Sequence, residues 1–170
     1  MTIEIVLFSF LSVLAVVSAI LMITRRNPIM SVLYLIANFF ALAGMYLLLH
    51  AQFLAIIQII VYAGAIMVLF LFVIMLLNVG DEQQLKEKLG YQKFIAVGFS
   101  VGFAFEILYL VQTSTGDQYF EQSPLAAEIG TVEFIGKQLF TKYLFPFEIT
   151  SILLLAAIVG AIVLAKKRFP

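Results

Sequence analysis

Apolar positions along the chain gather into five long runs almost free of charge, and short polar breaks separate them. The pattern predicts helices over 5–23, 29–49, 53–77, 94–111 and 147–165. Each is near the roughly 20 residues that a helix rising 1.5 Å per residue needs to cross a hydrocarbon core of about 30 Å. The third is longer than that, so tilting or a local helix irregularity is expected to absorb the excess. The first run lacks both the basic start and the small-residue cleavage site of a secretory signal, so it is expected to remain in the mature chain.

The breaks carry their own instructions. Between the first two runs stand Thr24, Arg25, Arg26, Asn27 and Pro28. Asn27 is placed to cap the second helix and Pro28 to open it, since the first-turn N–H groups have no intrahelical acceptor. His50, Ala51 and Gln52 alone divide the second run from the third. The polar stretch 78–93 reads as an extramembrane loop, and 112–146 as the longest connection. Within that linker Val132, Ile135, Leu139 and Tyr143 recur at helical spacing with Glu133, Lys137 and Lys142 between them, which predicts a short amphipathic helix lying at the interface. The expected architecture is therefore all-α: one integral membrane domain over 1–170, with five transmembrane helices and an interfacial helix between the fourth and fifth.

Composition agrees with a bilayer as the main solvent. Of 170 residues 64% are hydrophobic and 12% charged, more apolar side chain than a soluble core of this size buries. Five crossings put the termini on opposite sides, and the basic residues choose between the two orientations. With the C-terminus inside, Arg25, Arg26, Lys86, Lys88, Lys93, Lys166, Lys167 and Arg168 face the cytoplasm, leaving Lys137 and Lys142 outside. The expected localisation is a bacterial inner membrane, with the N-terminus and the 112–146 linker on the outer side. A net charge of zero gives no electrostatic case for nucleic acid. With no cysteine the chain cannot ligate an iron–sulfur cluster through thiolates, and the single His50 cannot supply paired axial ligands to a haem. No nucleotide-binding loop, catalytic triad or metal-ligand cluster is expected, and His50 reads as a solvated loop residue.

The most informative stretch is QIIVYAGAIMVLFLFVIMLLN, from Gln58 to Asn78. Its centre, Ala63, Gly64 and Ala65, allows close approach of a neighbouring helix and makes a one-residue bulge less costly than bulky residues would. Gln58 and Tyr62, four apart, are expected on one face just before it. Two readings stand side by side: tight packing with interhelical hydrogen bonds, or a helix that toggles between bulged and regular forms and thereby opens or closes a water path. Glu106 is the one carboxyl group deep in a span. It follows Gly98 and Gly102 at intervals of four, so it shares the face of a GxxxG seam and is expected to face protein, either as part of a proton relay or as an acid hydrogen-bonded to a partner helix. Glu4 and Glu148, near the outer starts of helices one and five, read as anions at the positive ends of helix dipoles. Asn38 with Ala37 and Ala41, and Ala156, Ala157, Gly160 and Ala161, read as helix contacts.

The run VYAGAIMVLFLFVIMLLN, preceded by FLAIIQII, resembles the third helix of subunit J of the proton-pumping NADH-quinone oxidoreductase, respiratory complex I, a family that includes mitochondrial NADH dehydrogenase subunit 6. NPIMSVLYLIANFFALAGMYLLL and IGTVEFIGKQLFTKYLFPFEITSILLLAAIVGAIVLAKK are also similar to bacterial members. The resemblance implies a membrane-arm subunit packed against subunits such as A, H and K. Such a chain binds no cofactor itself and performs no catalysis alone, whereas FMN, iron–sulfur clusters, NADH and a quinone belong to the complex. It also implies a π-bulge in helix three whose conversion to regular α-helix accompanies coupling, which falls here on Tyr62, Ala63, Gly64, Ala65 and Met67. Gln58 departs from the pattern, standing where some bacterial relatives carry glutamate, so any polar path through Gln58 and Glu106 borrows its other carboxylates from neighbours. A subunit of a multi-subunit cation/proton antiporter, or a structural scaffold, remains the alternative expectation.

Overall fold

A computed structural model describes residues 2–77, 91–114 and 126–166. The chain is all-helical there, with no strand among the described residues: α1 Thr2–Thr24, α2 Pro28–Leu48, α3 Gln52–Leu77, α4 Tyr91–Ser114, α5 Ala126–Ile129, α6 Val132–Thr141 and α7 Leu144–Ala165. Five of these, α1 to α4 and α7, are long and apolar enough to cross a membrane. Of the loop expected over 78–93, residues 78–90 lie outside the described residues, as does the middle of the long linker, while 91–93 belong to α4. Lys86, Lys88, Lys167 and Arg168, on which much of the orientation argument stands, are likewise outside them.

Helix ends differ from the apolar runs for backbone reasons. α4 starts at Tyr91 and ends at Ser114, beyond the apolar stretch at both ends, because a helix continues into water as long as its own hydrogen bonds are made. α7 begins at Leu144, ahead of Pro146, because a proline in the first turn gives up an N–H that had no intrahelical acceptor. Much of the linker predicted over 112–146 is thus helical.

α1, α2 and α3 form the packed unit, with α2 lying against both others. Asn27 caps α2 as its sequence position predicts: its side-chain oxygen accepts from the N–H of Ile29 at 2.9 Å and of Met30 at 3.4 Å, with Pro28 in the first turn. The interior is built largely of small groups. Ser18, Ala41, Ala43, Ala55 and Ala63 are buried together with Val32, Gln58 and Met67, and among the described residues no large side chain is fully enclosed. This suits helices in lipid, where close backbone approach replaces a hydrophobic driving force. Gly44 is one such approach, since a Cβ there would lie 2.8 Å from Leu11 Cδ1. Asn38 adds a polar tie, its side-chain amide donating to the Ala15 carbonyl of α1 at 2.7 Å.

At the end of α2 the backbone turns back through a left-handed residue that is not glycine. His50 has φ 58°. Its N–H donates to the Leu47 carbonyl at 3.1 Å and that of Ala51 to Tyr46 at 2.9 Å, the two bonds of a Schellman cap. A side chain in this region costs about 1 kcal/mol that glycine avoids. His50→Gly should accordingly raise the thermal stability of the detergent-solubilised protein, by an amount of that order, and an unchanged or lower midpoint would show that the imidazole makes a compensating contact.

The linker folds back onto this turn. Phe53 at the start of α3 donates its N–H to the Gly130 carbonyl at 3.0 Å, and Gly130 sits directly against the His50 carbonyl. Thr131 caps α6 by accepting from the Phe134 N–H at 3.2 Å, while its hydroxyl donates to the Glu128 carbonyl at 2.7 Å. α6 is the predicted amphipathic helix, and it meets α7 through an edge-on contact of Phe140 and Phe147 with ring centroids 5.0 Å apart. By contrast, α4 has no substantial packing on the other described helices, and its side chains from Phe94 to Thr113 are all exposed.

Candidate functional site

The centre of α3 is not a regular α-helix. Gln58–Ile66 winds as a π-helix, flanked by α-helical Gln52–Ile57 and Met67–Leu77. At the exit the Met67 N–H points to the carbonyls of Tyr62, five back, and Gly64, three back, rather than to Ala63 four back. A 26-residue helix at 1.5 Å per residue would measure about 39 Å, and the wider π turns are a local irregularity of the kind expected, beside tilting, for its length.

The local sequence permits the wide turns. A π turn brings residue i over residue i−5, and at Gly64 a Cβ would stand only 3.2 Å from the Ile59 carbonyl oxygen. Glycine removes that crowding, and Ala63 and Ala65 keep the neighbouring turns narrow.

The change in winding decides which side chains face α2. The buried positions of α3 are Ala55, Gln58, Ala63 and Met67, so successive steps are three, five and four residues. The five-residue step is the signature of the π insertion. Helical spacing of 3.6 put Tyr62 on the face of Gln58; instead Gln58 is 8% exposed while Tyr62 is 45% exposed, and Ala63 takes the inward place. Tyr62 is held at the rim, its ring edge-on to Phe39 of α2 with centroids 5.8 Å apart. Gly64 is half-buried and Ala65 is exposed.

Regularising the helix by one residue would rotate one flank against the other by about 100° and move it by about 1.5 Å along the axis. That would exchange Ala63 for Tyr62 on the α2 face, bringing a phenol beside the Gln58 amide. Gln58 and Tyr62 are the site's polar members, and neither is a carboxylate.

Glu106 is not part of this cluster. It stands on α4, which does not pack on α3, at the end of a shallow groove formed by Ile95, Gly98, Phe99, Gly102 and Phe103. Among the described residues, no atom outside the backbone of α4 itself lies within 4 Å of a Cβ built on Gly98 or Gly102, so no described segment fills the seam that the sequence implied. Among the described residues, no three of His, Cys, Asp and Glu come together in a metal-binding group. Two features escaped sequence reasoning: the left-handed turn at His50, where no glycine marks it, and the close approach of Gly130, marked only by a lone glycine after a short helix.

Residues 18–164 match the family model for NADH-ubiquinone/plastoquinone oxidoreductase chain 6. Similar proteins include NADH-ubiquinone oxidoreductase chain 6 of Cyanidium caldarium, 37% identical over 95% of this chain and 84% of the relative. NADH-quinone oxidoreductase subunit J of Buchnera aphidicola is 35% identical over 92% and 94% of the two chains. An NAD(P)H-quinone oxidoreductase subunit 6 of Paulinella chromatophora is 38% identical over 96% and 78%. With the five apolar helices and near full-length similarity, this multi-pass membrane protein belongs to the NADH-ubiquinone/plastoquinone oxidoreductase chain 6 family.

Proposed function

We propose that this chain is a membrane-arm subunit of a proton-pumping NADH-quinone oxidoreductase, and that α3 couples quinone reduction to proton translocation by converting between its π-wound form and a regular α-helix. The observation that carries the reading is the π-helix over Gln58–Ile66, with Gly64 where a Cβ would stand 3.2 Å from the Ile59 carbonyl oxygen. Two packings of one helix that differ by a one-residue rotation form a bistable element, the kind of part through which a distant reaction can act.

In this reading Tyr62, Ala63, Gly64, Ala65 and Met67 do mechanical work, and the titratable carriers sit on other subunits. The proposed neighbours are subunits A, H and K, in a bacterial inner membrane with the N-terminus outside. FMN, iron–sulfur clusters, NADH and the quinone belong to the rest of the complex; without cysteine, this chain has no thiolate to hold a cluster. The flavin and the clusters supply electron transfer to the quinone. This chain's part is to change the packing and hydration beside α2 when that transfer drives the complex from one state to the other.

Purification through a tag on this chain tests the assignment. Flavin and iron–sulfur subunits should come with it. Their absence, with antiporter-like membrane proteins in their place, would refute it in favour of the cation/proton antiporter. A variant tests the role of Gln58. If that amide shapes the path and does not carry protons, Gln58→Glu, near in shape when the acid is protonated, should leave NADH:quinone activity and the proton-to-electron ratio nearly unchanged. A marked change in the ratio would place proton transfer at this position.

A further inference from the structure

Building on the coupling role given to α3 above, we propose that Phe39 of α2 is a positioning residue that latches α3 in its π-wound form by holding the Tyr62 ring at the rim. Phe39 is half-buried, and the Tyr62 ring stands edge-on to it, with centroids 5.8 Å apart and the ring planes at 66°. Such pairs set the positive edge of one ring against the negative face of the other, and they favour contact by about two- to tenfold in equilibrium beyond the area they bury. The contact belongs to one winding. In the π form Gln58 and Ala63 take the buried positions, and Tyr62 is left outside them, where Phe39 meets it. A regular helix turns Tyr62 inward toward Gln58 and takes its ring off Phe39.

A latch needs a fixed mount, and the preceding residue supplies it. Asn38 donates its side-chain amide to the Ala15 carbonyl of α1 at 2.7 Å, and α2 closes on α1 again at Gly44, where a Cβ would meet Leu11 Cδ1 at 2.8 Å. Successive residues of a helix point about 100° apart, so Asn38 engages α1 while Phe39 engages α3. Held in this way, α2 does not roll after Tyr62 when α3 rewinds. The phenol supplies the opposing weight. In the regular helix it comes beside the Gln58 amide, where the two can hydrogen-bond. One side chain therefore favours each winding through a different part, the ring acting through Phe39 and the hydroxyl through Gln58. A balance held by two such contacts is tipped by a small differential interaction elsewhere in the complex.

Cryo-electron microscopy of the purified complex tests the latch, with particles sorted by the winding of α3. The ratio of π-wound to regular α3 is read in the condition, rest or NADH:quinone turnover, that populates both. Phe39→Leu keeps apolar bulk and removes the ring, so it should lower that ratio at least about threefold. Phe39→Tyr keeps the ring and should stay within about twofold of wild type. Tyr62→Phe keeps the aromatic pair and removes the hydroxyl, so it should raise the ratio by about twofold or more. A residue that only fills space would not give this pattern, since leucine fills it too. Assembly is read by NADH oxidation with an artificial acceptor, and Phe39→Ile carries the same expectation where leucine disturbs it. A ratio unmoved by Phe39→Leu, moved equally by Phe39→Tyr, or lowered by Tyr62→Phe would overturn the latch and leave the bistable helix standing. One winding in every particle of every form, at rest and during turnover in a complex that pumps, would overturn the bistable helix itself and the latch with it.

Discussion

Replacing Gly64 with valine is expected to lower quinone-coupled NADH oxidation and proton pumping by about tenfold, while NADH oxidation by an artificial acceptor stays near wild type. The cause is local. A Cβ at this position stands 3.2 Å from the Ile59 carbonyl oxygen, and the two γ-methyls of valine have still less room in the π turn. Overpacking of this kind costs of the order of 1–3 kcal/mol, and it falls on the π form alone, because a regular helix turns that carbonyl toward residue 63. A bias of about 1.4 kcal/mol is a tenfold change in the balance of the two forms, and turnover that visits both slows accordingly. Gly64→Ala should shift activity in the same direction by less, since it adds the Cβ clash without the branches and gains helix propensity as well. The artificial acceptor reports on the distant electron-entry arm and confirms that the complex is assembled. Equal losses in both assays, or none in either, would remove α3 from the coupling path.

Gly130→Val is expected to release the linker from the bundle. Its Cβ would collide with the His50 carbonyl and approach the Ala51 Cα to 3.0 Å, and both belong to a turn fixed by the Schellman hydrogen bonds. Nothing flexible stands there to give way. The Phe53 N–H then loses the Gly130 carbonyl, and α5 and α6 lose their seat at the start of α3. A loss of about 2–3 kcal/mol in local stability follows from forced overpacking. Hydrogen exchange over residues 50–57 should accelerate by tenfold or more, at about 1.4 kcal/mol per decade, and protease should cut the linker sooner. Unchanged exchange would show that α6 docks independently of this contact. The same anchor suggests which part of α3 moves: with its first turn held by Gly130, a change of winding at Gln58–Ile66 is taken up toward Leu77.

Much of this architecture is written plainly in the chain. The five crossings are legible because hydropathy over about 20 residues leaves little choice, and Asn27–Pro28 marks a helix start with both cap and first-turn chemistry. The ends of α4 were less legible, because hydrogen bonding and not hydropathy decides where a helix stops. At the candidate site the small residues pointed to an irregular helix, but the register did not follow. A period of 3.6 placed Tyr62 beside Gln58, and only the five-residue step reveals that Ala63 holds that place. The turn at His50 carries no glycine to announce it. For Glu106 the reason is different again: the GxxxG spacing places it on a seam, but no described helix of this chain packs substantially on that face.

The most direct test is a pair of structures of the purified complex, one at rest and one trapped during NADH:quinone turnover. The account predicts π winding over Gln58–Ile66 in one of them and continuous i to i+4 bonding in the other, with Tyr62 replacing Ala63 against α2. Identical winding of α3 in both states, in a complex that pumps, would contradict it.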